Sequence, residues 1–268
     1  MDADLLKPFK FCFLLLKALG LWQDGNQTWI YFVFGYFFHF VMIELYIVGL
    51  LLYIPNLENL DDWVDLLRML FVYLGLAMKC FNFFLKIGNI KNCYKNLECL
   101  LENIKFQWFN TRQHIKKRAN QCFRIYIIFW ACDIFCCIGV LAVVVFSHKM
   151  PNKLWFPFDT KTSEVGFWIG SLYLVVNAII GGTTGVSFVM FPLIFICFAV
   201  GLIEELAERL REVKKNEELI ECIKVHIKIK EFVKEIHENF AMVILTEAVM
   251  SSTEICVSAF ILSNVSLS

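Results

Sequence analysis

The chain has 268 residues, 59% of them hydrophobic and only 19% charged, with 28 phenylalanines. A water-soluble globule has too little interior to hide that much apolar surface, so lipid is the solvent this composition fits. The 25 basic and 25 acidic residues cancel and gather in a few segments between apolar runs, leaving no nucleic-acid footprint.

In chain order, residues 11–21 form a first apolar stretch, interrupted by Lys17 and without a small-residue cleavage site, which excludes a signal peptide. Lys7, Lys10 and Lys17 fall near one another on a helical wheel, which predicts an amphipathic helix lying against the inner leaflet. Five longer apolar runs follow, at 29–54, 64–87, 123–146, 167–203 and 240–263. A hydrocarbon core of about 30 Å takes roughly 20 helical residues to cross. Without water every backbone N–H and C=O must bond within its own segment, so all five runs are predicted helices. The fold class is therefore all-α: a polytopic membrane helical bundle in a single transmembrane domain.

The run 167–203 is long for one crossing and contains Gly181, Gly182, Gly185 and Pro192, each able to bend a helix. Basic residues decide against a hairpin. With one crossing per run, segments 1–28, 88–122 and 204–239 hold 18 Lys and Arg, against 3 in the alternate loops. By the positive-inside rule the N-terminus and these three segments are cytoplasmic. An N-terminus there keeps the sequon at Asn26 away from the lumenal transferase, and Asn26 is expected to stay unmodified.

None of the 11 cysteines falls in the outward loops 55–63 and 147–166, so structural disulfides are not expected. Cys132, Cys136 and Cys137 cluster without a histidine and read as small core packers rather than metal ligands. Ionisable residues within the runs include Glu44, Arg68, Lys79, Asp133, Glu247 and Glu254. At membrane depth they should face protein or water, and Glu247 and Glu254, seven apart, share one helix face. In 204–239, Ile220, Ile223, Ile227 and Ile236 give a charged segment an apolar stripe. That segment is either a solvated helix or an extension that packs against other subunits.

Catalysis has no support. His226 and His237, with Glu235 and Glu238, lack the i, i+4 His spacing of a helical zinc site, and there is no nucleophile elbow, phosphate loop or CxxC pair. No metal or cofactor is expected.

Several local patterns resemble the insect odorant receptors. Ala18, Leu19, Gly20, Leu21 and Trp22 are similar to that family's pattern before the first span. Lys153, Leu154, Trp155, Phe156, Pro157, Phe158 and Asp159, followed by Phe167 and Trp168, are similar to its second extracellular loop. Cys222 to His226, then Ile229, Phe232, Ile236, Phe240, Ile255 and Cys256, resemble its cytoplasmic stretch and fifth helix. The resemblance implies a plasma-membrane subunit of a ligand-gated cation channel in olfactory neurons, detecting a small volatile odorant and assembled as a tetramer with a co-receptor. In that family the odorant sits in the outer half of the bundle among the second, third, fourth and sixth helices. Mapped here, this gives Leu70, Tyr73, Gly139, Val143, Tyr173 and Asn177 as ligand-binding residues, and Ile220, Ile223 and Ile227 as assembly residues. Family members continue through a sixth helix and a pore-lining seventh, which this sequence does not contain. The resemblance thus carries an alternative: a non-conducting subunit or scaffold that only assembles with full-length receptors. A G-protein-coupled receptor, with its N-terminus outside, does not fit the charge distribution.

Overall fold

A computed structural model describes residues 5–22, 29–107 and 113–265. The sequon at Asn26 and the basic residue Arg112 lie outside them. Every described element is helical: α1 (Lys7–Ala18), α2 (Trp29–His39), a π-helical turn (Phe40–Glu44), α3 (Leu45–Tyr53), a 3₁₀ turn (Ile54–Asn56), α4 (Leu60–Gln107), α5 (Gln113–Ser147), α6 (Glu164–Glu212) and α7 (Asn216–Val265). Five helical stretches are long and apolar enough to cross a membrane, and each contains most of one predicted run. The helices outlast the apolar runs at the charged ends. Segments 88–122 and 204–239 are largely continuations of α4 to α7 rather than loops, because their Glu, Lys and Leu are strong helix formers.

The run 167–203 lies in one unbroken helix, α6, with Pro192 inside it. Proline removes one backbone donor and crowds the preceding turn, and dense packing keeps the helix whole. Of the membrane-length stretch of α6, 61% is buried, against 11% for that of α5 or α7.

By internal contacts the chain divides into two units, and α4 to α7 each contribute to both. The first comprises Met1–Leu14, Asn82–Ile128 and Ser187–Ile244, and it is built on aromatic rings. Phe9 of α1 is fully buried, with ring centroids 5.1 Å from Tyr94, 4.8 Å from Phe195 and 5.3 Å from Phe198. Such edge-to-face and tilted pairs add to the hydrophobic gain of burial. The apolar side of α1, expected to lie on the leaflet, is thus turned to protein at Phe9 and Cys12, while Lys7 and Lys10 stay exposed. From α7, Cys222, Val225, Ile229, Phe232, Ile236, Phe240 and Val243 are buried. Their spacing of three and four residues is one helix face. Ile236, placed on the apolar stripe by its sequence position, belongs to this buried face; Ile220, Ile223 and Ile227 lie on another, each 50–53% exposed.

The second unit comprises Leu15–Phe81, Phe129–Val186 and Leu245–Ser268. It begins with the C-terminus of α1, where the Leu21 amide bonds the Leu16 carbonyl at 2.8 Å and the Gly20 amide bonds Lys17 at 3.0 Å. Gly20 takes φ +75°, the left-handed C′ residue of a Schellman cap. The Tyr31 hydroxyl donates to the Lys17 carbonyl, and His39 Nε2 lies 2.9 Å from that of Leu19. Of the clustered cysteines only Cys137 is buried; Cys132 and Cys136 are exposed, so the core-packing expectation fails for two of three. The period of a helix places residues 132 and 136 on one outer stripe and 137 a quarter-turn away.

Candidate functional site

An apolar cavity lies in the second unit, and α3 supplies its floor. Leu45, Val48, Gly49 and Leu52 of α3, Leu154 to Phe158 of the loop before α6, and Ile169 and Tyr173 of α6 surround a cavity of about 340 Å³. The loop can lie this close because residue 49 has no side chain. A Cβ there would meet Leu154 Cδ1 at 2.8 Å, and the Trp155 amide donates to the Gly49 carbonyl at 3.2 Å. Two polar ties hold the loop's start: Asn152 Nδ2 donates to the Tyr46 hydroxyl at 3.1 Å, and Lys153 pairs with Asp62. The Asp62 carboxylate holds the Lys153 ammonium above its usual range. At the far end Asp159 accepts from the Thr162 hydroxyl and from the amides of Lys161 and Thr162 at 2.8 and 3.2 Å. These bonds keep its carboxyl below the usual range. Ser163 then caps α6, accepting from the Gly166 amide at 3.2 Å.

One lining residue, Tyr173, belongs to a polar network behind the cavity wall, and the π-helical turn helps to build it. In an α-helix the Leu45 amide would bond the Val41 carbonyl; here it bonds Phe40 instead. The freed Val41 carbonyl accepts from the Tyr173 hydroxyl at 3.0 Å. Asn177 Nδ2 donates to the neighbouring Met42 carbonyl, and Tyr73 donates to Asn177 Oδ1. Tyr73 stacks on Tyr46 with centroids 4.0 Å apart. Single-turn π-bulges of this kind recur at functional sites. At this bulge the Val41 and Met42 carbonyls both accept from α6 side chains.

Five of the lining residues, Leu45, Val48, Leu52, Trp155 and Ile169, are 42–53% exposed. The cavity is therefore open on the side where these residues are exposed.

Of the six ligand residues inferred from sequence, Tyr73, Tyr173 and Asn177 share the polar network, and only Tyr173 lines the cavity. Leu70 is half-buried; Gly139 and Val143 are exposed on α5. An added Cβ at Gly139 would find no atom within 4 Å. Sequence reading missed Tyr46, the Val41 and Met42 carbonyls, and the 154–158 loop as cavity wall. The aromatic run around Pro157 between two spans was the available signal for the last; nothing local announces the π-turn.

The family described as 7tm Odorant receptor matches residues 59–266. Among curated proteins, Odorant receptor Or1 of Anopheles gambiae is 24% identical over 180 residues, which is 65% of this chain and 43% of that protein. Odorant receptor 33b of Drosophila melanogaster is 24% identical over 192 residues, 67% of this chain and 49% of that protein. The chain thus spans about half the length of the curated relatives it matches. Among solved structures, the insect olfactory receptor OR5 from Machilis hrabei in complex with eugenol superposes with TM-score 0.71 at 19% identity, covering 96% of this chain and 71% of that one. The same receptor described without eugenol gives 0.68 at 18%, covering 94% and 70%.

Proposed function

This chain belongs to the 7tm odorant receptor family, and from that membership we propose that it detects small hydrophobic volatile molecules as one subunit of a ligand-gated cation channel, assembled with a co-receptor in the plasma membrane of olfactory neurons. The observation that carries the reading is the open apolar cavity of about 340 Å³ with Tyr173 on its wall. Its size falls at the lower end of small-molecule sites, about 300–1,000 Å³, and apolar walls with a few orienting polar groups are how such sites are built. A volatile partitions into the bilayer first and enters from there.

Trp155 on the cavity wall gives a direct test. Titrating the purified chain with eugenol, the aromatic ligand of the solved relative, is expected to change tryptophan emission saturably. Val48→Trp, which fills the cavity, is expected to weaken the apparent affinity at least tenfold, about 1.4 kcal/mol; Val143→Trp, on the outer face of α5, is expected to leave it unchanged. The reverse pattern would move the pocket to Leu70, Tyr73, Gly139 and Val143, as the family resemblance implies.

Assembly with the co-receptor is assigned to Ile220, Ile223 and Ile227, three half-exposed isoleucines on one face of an otherwise charged helical stretch. Exposed apolar stripes rimmed by charge are typical contact surfaces. Replacing all three with Ser is expected to abolish co-purification with a co-receptor in mild detergent while leaving membrane insertion intact. Undiminished co-purification would remove the stripe from the interface.

A further inference from the structure

In the first unit α5 and α6 run antiparallel, joined by successive side-chain rungs. His114 Nε2 lies 2.8 Å from Glu208, Arg118 Nε donates to Glu204 at 3.0 Å, and the Tyr126 and Ser187 hydroxyls are 3.2 Å apart. Between the Arg118 and Tyr126 rungs stands a pair unlike the others: the thiols of Cys122 and Cys197 face each other within hydrogen-bonding reach. Along α5 the rungs recur every four residues, one per turn, while their partners descend along α6.

We propose that Cys122 and Cys197 are a modification site, a dithiol that a hydroperoxide oxidises to an intrachain disulfide tying α5 to α6.

A disulfide requires its two Cα atoms within about 4.4–6.8 Å, so the helix backbones must approach closely. They do: a Cβ added to Gly201, one turn beyond Cys197, would lie 2.9 Å from Ile115 Cα. Access is unequal. Cys197 is partly exposed whereas Cys122 is fully buried, so the first oxidation falls on Cys197 and Cys122 resolves it. The thiolate is the attacking form.

The chemistry balances. The Cys197 thiolate attacks the terminal peroxide oxygen; the O–O bond breaks, the alkoxide leaves and takes a proton as alcohol, and Cys197 becomes a sulfenic acid. Cys122 sulfur then attacks that sulfur, the S–O bond breaks, and hydroxide leaves as water with the Cys122 proton. Two thiols and one hydroperoxide give a disulfide, an alcohol and water, with two electrons passing from sulfur to oxygen. Attack by an external thiolate reverses it. In a reducing compartment such bonds are transient and redox-sensing rather than structural.

The test treats the purified full chain with hydrogen peroxide, then denatures, alkylates with N-ethylmaleimide and maps peptides by mass spectrometry. Two of the 11 thiols should be lost and recovered with dithiothreitol, and a linked pair containing Cys122 and Cys197 should appear. Cys122→Ser should strand Cys197 as a sulfenic acid that dimedone captures; Cys197→Ser should leave Cys122 alkylatable. Full alkylation of both residues after peroxide, or linkage of Cys122 to neighbouring Cys12 instead, would overturn the proposal. If a variant loses its native size-exclusion profile, the wild-type linkage alone decides.

Discussion

Lys79→Met is expected to destabilise the folded chain severely, and adding a second substitution, Glu247→Leu, is expected to restore most of the loss. Lys79 of α4 is 7% exposed and forms an ion pair with Glu247 of α7. The helices meet here because Gly75, one turn earlier, leaves room for Met250; a Cβ at 75 would stand 2.7 Å from its sulfur. Lys79 is buried while Glu247 keeps 35% of its side chain exposed, and a charge at membrane depth is costly without its partner. Removing one partner of a buried pair typically costs about 3–5 kcal/mol because the other is left uncompensated, whereas replacing both with apolar groups is often neutral. Thermal unfolding of the detergent-solubilised chain, followed by fluorescence-detected size exclusion, gives the cycle. A coupling of about 2 kcal/mol or more is expected. Simply additive losses would mean that the pair contributes no mutual stabilisation.

The second large effect is steric. Gly20 and Gly35 touch backbone to backbone: a Cβ on Gly20 would lie 2.7 Å from Gly35 Cα, and one on Gly35 would lie 3.3 Å from Gly20 Cα and still closer to its carbonyl oxygen. Overpacking against yielding side chains costs about 1–3 kcal/mol, and backbone yields less. Gly20 also holds its positive φ for the Schellman cap, so it cannot swing aside without breaking the end of α1. Gly35→Val should therefore abolish the monodisperse folded species. Gly139→Val, where an added Cβ meets nothing within 4 Å, is the matched control and should retain it. Equal yields from both would show that the close approach of Gly20 and Gly35 is not required.

The sequence by itself determined the solvent and the helices. Long runs without charge, such as 167–203, admit one backbone solution in lipid, since a helix satisfies its own hydrogen bonds, and the extent of such runs is written locally. It also marked Lys79 and Glu247 as expensive, because a charge in hydrocarbon is costly wherever it stands. Only the tertiary structure paired them, across 168 residues of separation, since nothing in either neighbourhood encodes the crossing of α4 and α7. The same limit applied to the site. Tyr73, Tyr173 and Asn177 were legible as polar groups on apolar helices; Tyr173 and Asn177 donate to the Val41 and Met42 carbonyls at a π-turn, with Tyr73 behind them on Asn177, and carbonyls look identical in every sequence. Gly139 and Val143 lie on an exposed face of α5 and do not line the cavity beside α3. Depth follows from counting residues along a helix at 1.5 Å each. Azimuth depends on which neighbours the helix meets, and in a segment apolar all round the sequence leaves that choice to packing.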